Sequence, residues 1–270
     1  MKSIVMSESV TTNRYQQNNV KAGYLNKVPH WLYSVFVIGL FFYLSIAPIK
    51  ITLASMSYHG VESKLDQWKA LTASITKNDY ERAKQGITQA IQYHPSFAYY
   101  YDIKSEVLQW GAFVGFETDL EANFSNIELL HEQSLQLRPI WSVTWGNLGQ
   151  QKFYKALFLQ KFDSITYSEI ISYLTIAHQL GKQTPEIHMI WSDVGLRLLN
   201  INFAQYLNAQ ELVRFHVVKG LEYRMVRDKI IESIRASNNN SLVCIWLKQD
   251  ARDKNQDTLN SIAFKRLKCS

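Results

Sequence analysis

Glu117, Asp119 and Glu121 follow the run Gly111-Ala112-Phe113-Val114-Gly115-Phe116, and they are the residues whose spacing comes nearest to a catalytic pattern. Two carboxyl groups held a fixed distance apart, one protonated and one ionised, cleave glycosidic bonds. Acidic residues just after a turn also suit a helix N-terminus, where they meet the positive end of the dipole. The helix start is the expectation here. His178 and His188 stand on either side of an expected helix break and read as ordinary core or surface histidines. The chain contains no G-x-S-x-G, H-E-x-x-H, C-x-x-C, phosphate-loop or G-x-G-x-x-G pattern. No catalytic residue, no cofactor and no metal ligand is therefore assigned.

Binding chemistry is better represented. Residues 197–235 carry seven basic side chains against four acidic ones, and Arg214, Lys219, Arg224 and Arg227 form a candidate surface for an anionic partner such as an acidic polysaccharide. Arginine suits that role because its planar fork grips a carboxylate with two hydrogen bonds. The alternative is a solvated helix laced with pairs such as Arg224 and Asp228. Cys244 and Cys269 fit no metal pattern, and their spacing leaves open whether they pair or remain as two thiols.

These residues sit in a chain of 270 with 47% hydrophobic and 19% charged content, which excludes a disordered, collagenous or disulfide-dense protein. The formal net charge of +6 is unevenly placed. Lys2, Arg14, Lys21 and Lys27 outweigh Glu8 at the N-terminus, six Lys or Arg outweigh three Asp over residues 246–270, and the body between is balanced.

No charged residue lies between Lys27 and Lys50, and Trp31 to Ile49 reads WLYSVFVIGLFFYLSIAPI. At about 1.5 Å per residue such a helix spans a bilayer core. Trp31, Tyr33 and Tyr43 suit the interfaces, and Pro29 and Pro48 bracket the span, with Pro48 expected in its last turn. The leader is long and polar and the apolar run exceeds that of a signal peptide, so a retained anchor is expected over a cleaved one. The basic leader places the N-terminus in the cytoplasm and the rest of the chain outside it, where nucleic acid is not a partner.

The other three prolines are Pro95, Pro139 and Pro185, each followed six residues later by an aromatic residue: Tyr101, Trp145 and Trp191. The second and third copies continue as W-x-x-[LV]-G, through Leu148 and Gly149 and through Val194 and Gly195. This spacing predicts stacked helical hairpins, with proline at helix starts, aromatics packed against the neighbour, and glycine admitting a close helix. Residues 61–75 and 202–236 also show helical periodicity, whereas 242–247 fits a short strand or a helix, and the polar stretch after Gln249 reads as a loosely held tail.

The pattern resembles the tetratricopeptide repeat, W-x2-L-G-x2-Y followed by A-x3-F and proline, although that family repeats at roughly 34 residues. Lys152 and Leu198 stand where the family has Tyr, and His131 where it prefers Phe. An N-terminal anchor combined with Arg138-Pro139-Ile140-Trp141, Trp145-Gly146-Asn147-Leu148, and Leu180-Gly181 before Pro185-Glu186 is more specifically similar to VpsP-type proteins. Those are membrane-anchored, tetratricopeptide-like proteins of bacterial exopolysaccharide biosynthesis.

The expectation is thus an all-α fold of antiparallel helical hairpins of tetratricopeptide-like (α-solenoid) type with one N-terminal transmembrane helix. Its divisions are a cytoplasmic tail (1–30), the span (31–53), a periplasmic helical domain (54–245) and a basic polar tail (246–270). The resemblance implies a non-enzymatic scaffold or adaptor in the bacterial inner membrane, with other membrane or periplasmic proteins of a polysaccharide system as partners. A general periplasmic assembly factor and a glycan-modifying enzyme using Glu117 or Asp119 stand as alternatives.

Overall fold

The computed structural model describes residues 30–71, 75–201, 207–254 and 262–269. The leader that carries the N-terminal charge lies outside them. Among the described residues there are eleven helices and no strand: α1 (His30–Ala70), α2 (Lys77–Tyr93), α3 (Tyr99–Phe113), α4 (Leu120–Leu137), α5 (Ser142–Phe158), α6 (Ser164–Leu180), α7 (Pro185–Ile201), α8 (Gln210–Glu222), α9 (Arg224–Ala236), α10 (Asn240–Asp253) and α11 (Ile262–Arg266). The chain divides into two compact units, Met1–Thr52 and Leu53–Ser270.

The first unit holds residues 30–52 of α1, the one helix among the described residues long and apolar enough to cross a membrane, whose apolar window has no buried residue. Pro48 lies inside this helix and not in its last turn. Its ring removes one backbone donor. Near it the Ser45 hydroxyl donates to the Phe41 carbonyl at 2.8 Å and the Thr52 hydroxyl to the Pro48 carbonyl at 2.9 Å, the side-chain bonding that accompanies proline in apolar helices.

The second unit is a stack of hairpins. Helices α3 and α4, α5 and α6, and α7 and α8 pack as neighbours, and α5 also meets α7 directly. One apolar core joins residues 54–68 of α1 to α2 and α3 through Leu65, Trp68, Tyr80 and Ile87. A larger one runs from α5 to the C-terminus around Phe153, Leu174, Trp191, Val213 and Ile230.

Repetition is visible in the caps. Thr76, Asp119 and Asp163 are the N-caps of α2, α4 and α6, each accepting from the backbone N–H three residues on, at 3.1, 3.0 and 2.7 Å. At the other ends of these helices, His94, Arg138 and Gly181 are C-caps of nearly the same backbone geometry, with φ of −142°, −145° and −142°. Both series advance by 43 or 44 residues. Helices α5 and α7 are each 17 residues long and start 43 residues apart.

That period corrects the alignment drawn from the prolines. Pro95 and Pro139 follow a C-cap, whereas Pro185 is the first residue of α7, a different position for the same residue type. Aligning on proline therefore slides the third copy by three residues, close to one helical turn. In the structural register Trp145 corresponds to His188, Leu148 to Trp191 and Gly149 to Ser192. Hydrogen bonds bear this out. Tyr101 donates its hydroxyl to the Pro95 carbonyl at 2.9 Å and Trp145 its Nε1 to the Pro139 carbonyl at 2.8 Å, but the Trp191 Nε1 donates to the Leu174 carbonyl at 2.9 Å.

The glycines do admit neighbouring helices. A Cβ on Gly149 would lie 3.1 Å from Leu174 of α6, and one on Gly195 would overlap Val213 Cγ2 of α8. We expect Gly195→Ala to lose about 2 kcal/mol, because overpacking outweighs the better helix propensity of alanine. The loss should be smaller in a Val213→Ala background, and thermal melts of the four chains of that cycle measure the coupling; additivity would contradict the contact.

The described C-terminal residues, 246–254 and 262–269, are largely helical, unlike the loosely held stretch expected after Gln249, and the basic polar tail was expected to begin at 246. Residues 242–247 belong to α10, so that boundary falls inside a helix. Ala263, Phe264 and Leu267 are buried in the larger core, and Cys244 is joined to Cys269 by a disulfide. Charge counting missed this because three apolar side chains on one short turn suffice to dock it.

Candidate functional site

The first helices of three successive hairpins, α3, α5 and α7, line one cleft of about 550 Å³, with Lys69 of α1 and Lys229 of α9 at its edges. Side chains at helical spacing put one face of each helix toward it. Its apolar walls are Tyr99, Trp110, Phe113 and Trp141. Phe113 is 73% exposed and Trp141 46%, and together they leave an open aromatic patch along the cleft.

Two carboxylates, Asp102 partly buried and Asp193 buried, tie together the helices that line the cleft. Asp102 of α3 accepts from Thr144 Oγ1 of α5 at 3.0 and 3.1 Å and from Arg138 Nη2 at 2.5 Å, and lies 3.4 Å from His131 Nδ1 of α4. The same Arg138 guanidinium covers the Trp141 ring at 4.4 Å, so one network fixes three helices and the aromatic wall. Asp193 of α7 accepts from Gln150 Nε2 at 3.1 Å, from Arg197 Nε at 2.9 Å and from the Tyr154 hydroxyl, joining α7 to α5. Burial, then the Asp193 charge, pushes the Tyr154 phenol well above its usual range, so it remains a donor.

Within the cleft Lys69 bonds Glu106 at 2.9 Å. Burial opposes its charge, but the Glu106 hydrogen bond and charge prevail and its pKa rises. Gln109, Asn147 and Glu186 also line the cleft, half-buried and without a protein partner among the described residues.

Pro95, Tyr101, Pro139 and Trp145 fasten the turns between hairpins, while Leu148, Gly149, Trp191, Val194 and Gly195 are buried between helices. The acidic cluster is taken up by the fold. Asp119 caps α4, and Glu117 accepts from Lys84 Nζ at 2.7 Å and from the Tyr80 hydroxyl. Burial would raise the Glu117 pKa, but these bonds hold it below the ordinary carboxylate value, the opposite of what a general acid needs.

Of the four basic residues, two line a common pocket. Arg214 and Lys219 line a separate pocket of about 490 Å³ with Lys182 and Lys254. Lys219 bonds Glu222 at 2.6 Å and Arg214 lies 3.8 Å from Asp253. Arg227 instead donates to the Leu221 and Glu222 carbonyls, closing the end of α8, and Arg224 opens α9.

His178 and His188 are brought together through His216, which sequence reasoning passed over. His178 Nδ1 lies 3.0 Å from His216 Nε2, and His188 Nδ1 lies 2.8 Å from His216 Nδ1. These rings bond one another in a line and do not converge on a point. Among the described residues no group of three or more His, Cys, Asp or Glu is arranged to hold a metal ion. No protein-family model and no curated protein matches the sequence.

Proposed function

We propose that this protein is a membrane-anchored scaffold or adaptor in bacterial exopolysaccharide biosynthesis, assembly or export, with its helical body on the periplasmic side of the inner membrane. The observation that carries the recognition role is the cleft across α3, α5 and α7, because stacked helical hairpins use such extended faces to hold partners. The polysaccharide setting comes from the resemblance to VpsP-type, tetratricopeptide-like proteins. Two features support the orientation. The leader carries four Lys or Arg against one Glu, and the Cys244–Cys269 disulfide belongs to an oxidising compartment.

The test has two arms. In protein taken from cells under denaturing conditions, both cysteines should resist a maleimide until a reductant is added; alkylation without reductant overturns the orientation. A strain lacking the protein should lose surface polymer and recover it with the wild type or with a Glu117→Gln, Asp119→Ser chain, whose substitutions keep a hydrogen-bonding side chain at both places. Polymer output that is indifferent to the protein, or lost in that chain while it remains folded, overturns the scaffold role.

A further inference from the structure

We infer that the α3–α5–α7 cleft binds an uncharged polysaccharide strand, stacked on Trp110, Phe113 and Trp141 and hydrogen-bonded by Gln109, Asn147 and Glu186. The biological setting rests on the proposed scaffold role, but the binding itself is argued from the cleft.

Aromatic rings left open on a folded body signal a partner with an apolar face. Phe113 and Trp141 both line the cleft, and Trp110 packs edge-on against Phe113 with ring centroids 5.7 Å apart. A pyranose ring supplies a matching surface, since its C–H groups form a flat apolar face while its hydroxyls lie around the edge.

Half-buried amides and carboxylates without partners are costly unless a ligand or water meets them. Gln109 and Asn147 each offer donors and an acceptor, and Glu186 offers acceptors. Sugar hydroxyls are donors and acceptors at once, so they satisfy all three side chains.

Charge decides the class of polymer. Lys69 is already paired with Glu106 and Asp102 with Arg138, leaving Glu186 and Lys229 as the charges in the cleft without an ion pair among the described residues. One of each sign gives an anionic chain no net attraction, and its carboxylates would be set against Glu106 and Glu186. This moves the expected ligand from an acidic polysaccharide on Arg214 and Lys219 to a neutral one in a different pocket. An extended polypeptide is the competing occupant.

The detergent-solubilised full chain would be titrated with neutral hexasaccharides (β-1,4-glucan, β-1,4-mannan and α-1,4-glucan) and with oligogalacturonate, followed by tryptophan fluorescence and calorimetry. At least one neutral hexasaccharide should bind saturably, with oligogalacturonate at least about tenfold weaker. Trp141→Ala and Phe113→Ala should each weaken that binding about tenfold, while Phe158→Ala, which removes an exposed aromatic outside the cleft, leaves it unchanged. No saturable neutral binding, equal binding of oligogalacturonate, or an equal effect of Phe158→Ala overturns the inference. So does a photoreactive residue at position 113 that cross-links polypeptide and no glycan in membranes. Failed binding with polymer output still dependent on the protein removes this inference alone. Binding with output independent of the protein removes the scaffold role alone.

Discussion

Replacing Trp191 by alanine should cost about 4 kcal/mol of stability, and replacing Trp145 only about 1 to 2 kcal/mol. In sequence the two look equivalent, six residues after a proline and four before a glycine. In the fold they are not. Trp191 is fully buried, lies nearly parallel to the His216 ring with centroids 5.4 Å apart, and bonds the Leu174 carbonyl. Its removal leaves a cavity lined by α6, α7 and α8, which collapse only in part. Trp145 is half-buried, stacks on Tyr173 at 5.8 Å and fastens the Pro139 turn, so water fills much of the space it leaves. Thermal or urea unfolding of the detergent-solubilised chain separates the two cases. Equal losses would mean that the 43-residue register is wrong and that the proline alignment is right.

That contrast shows what local patterning reveals. The apolar run from Trp31 was legible because hydropathy over twenty residues needs no tertiary information, and glycine at 149 and 195 was legible because close helix contact leaves few alternatives to it. The register was not, since proline serves both after a helix and at the start of one, and only the caps tell the roles apart. A usable signal was present. Thr76, Asp119 and Asp163 recur at nearly constant spacing, each with the N-cap side chain that begins a helix. Read that way, Asp119 belongs to a structural series and loses its claim as a catalytic carboxylate. The cleft was illegible for a different reason. Trp110, Phe113 and Trp141 count simply as hydrophobic residues in sequence, and what distinguishes them is that the fold gathers them along one cleft, with Phe113 and Trp141 left partly open to it.

The second large effect is expected on acidification. His178, His188 and His216 come from α6, α7 and α8, and the last two have no exposed surface. Burial is the main cause of their depressed basicity, which falls to about 4 for His188 and about 2 for His216; the Lys182 charge adds to it at His178, Lys219 and then His178 at His188 against a smaller pull from Glu222, and the other two rings at His216. An unfolded histidine takes up its proton near pH 6.5. Between that pH and about 4 the unfolded chain therefore binds protons that the folded chain refuses, and stability falls as pH falls. His188 alone accounts for about 3 kcal/mol by pH 4. Each N···N contact needs one donor and one acceptor, so the neutral chain has a direction. His188 Nε2 is buried without a partner, and a bare lone pair there is cheaper than a stranded N–H. His188 therefore carries its proton on Nδ1 and donates to His216 Nδ1, and His216 Nε2–H donates to His178 Nδ1. Long-range nitrogen–proton correlations of the imidazoles at pH 7.5 should show these tautomers, with His188 still neutral at pH 5. In melts from pH 7.5 to 4.5, His216→Phe keeps a ring beside Trp191 but removes the central proton acceptor. It should be less stable at neutral pH, because two nitrogens lose their partner, and should approach the wild type as the pH drops. Parallel melting curves across that range would show that the three rings do not set the acid sensitivity of the fold.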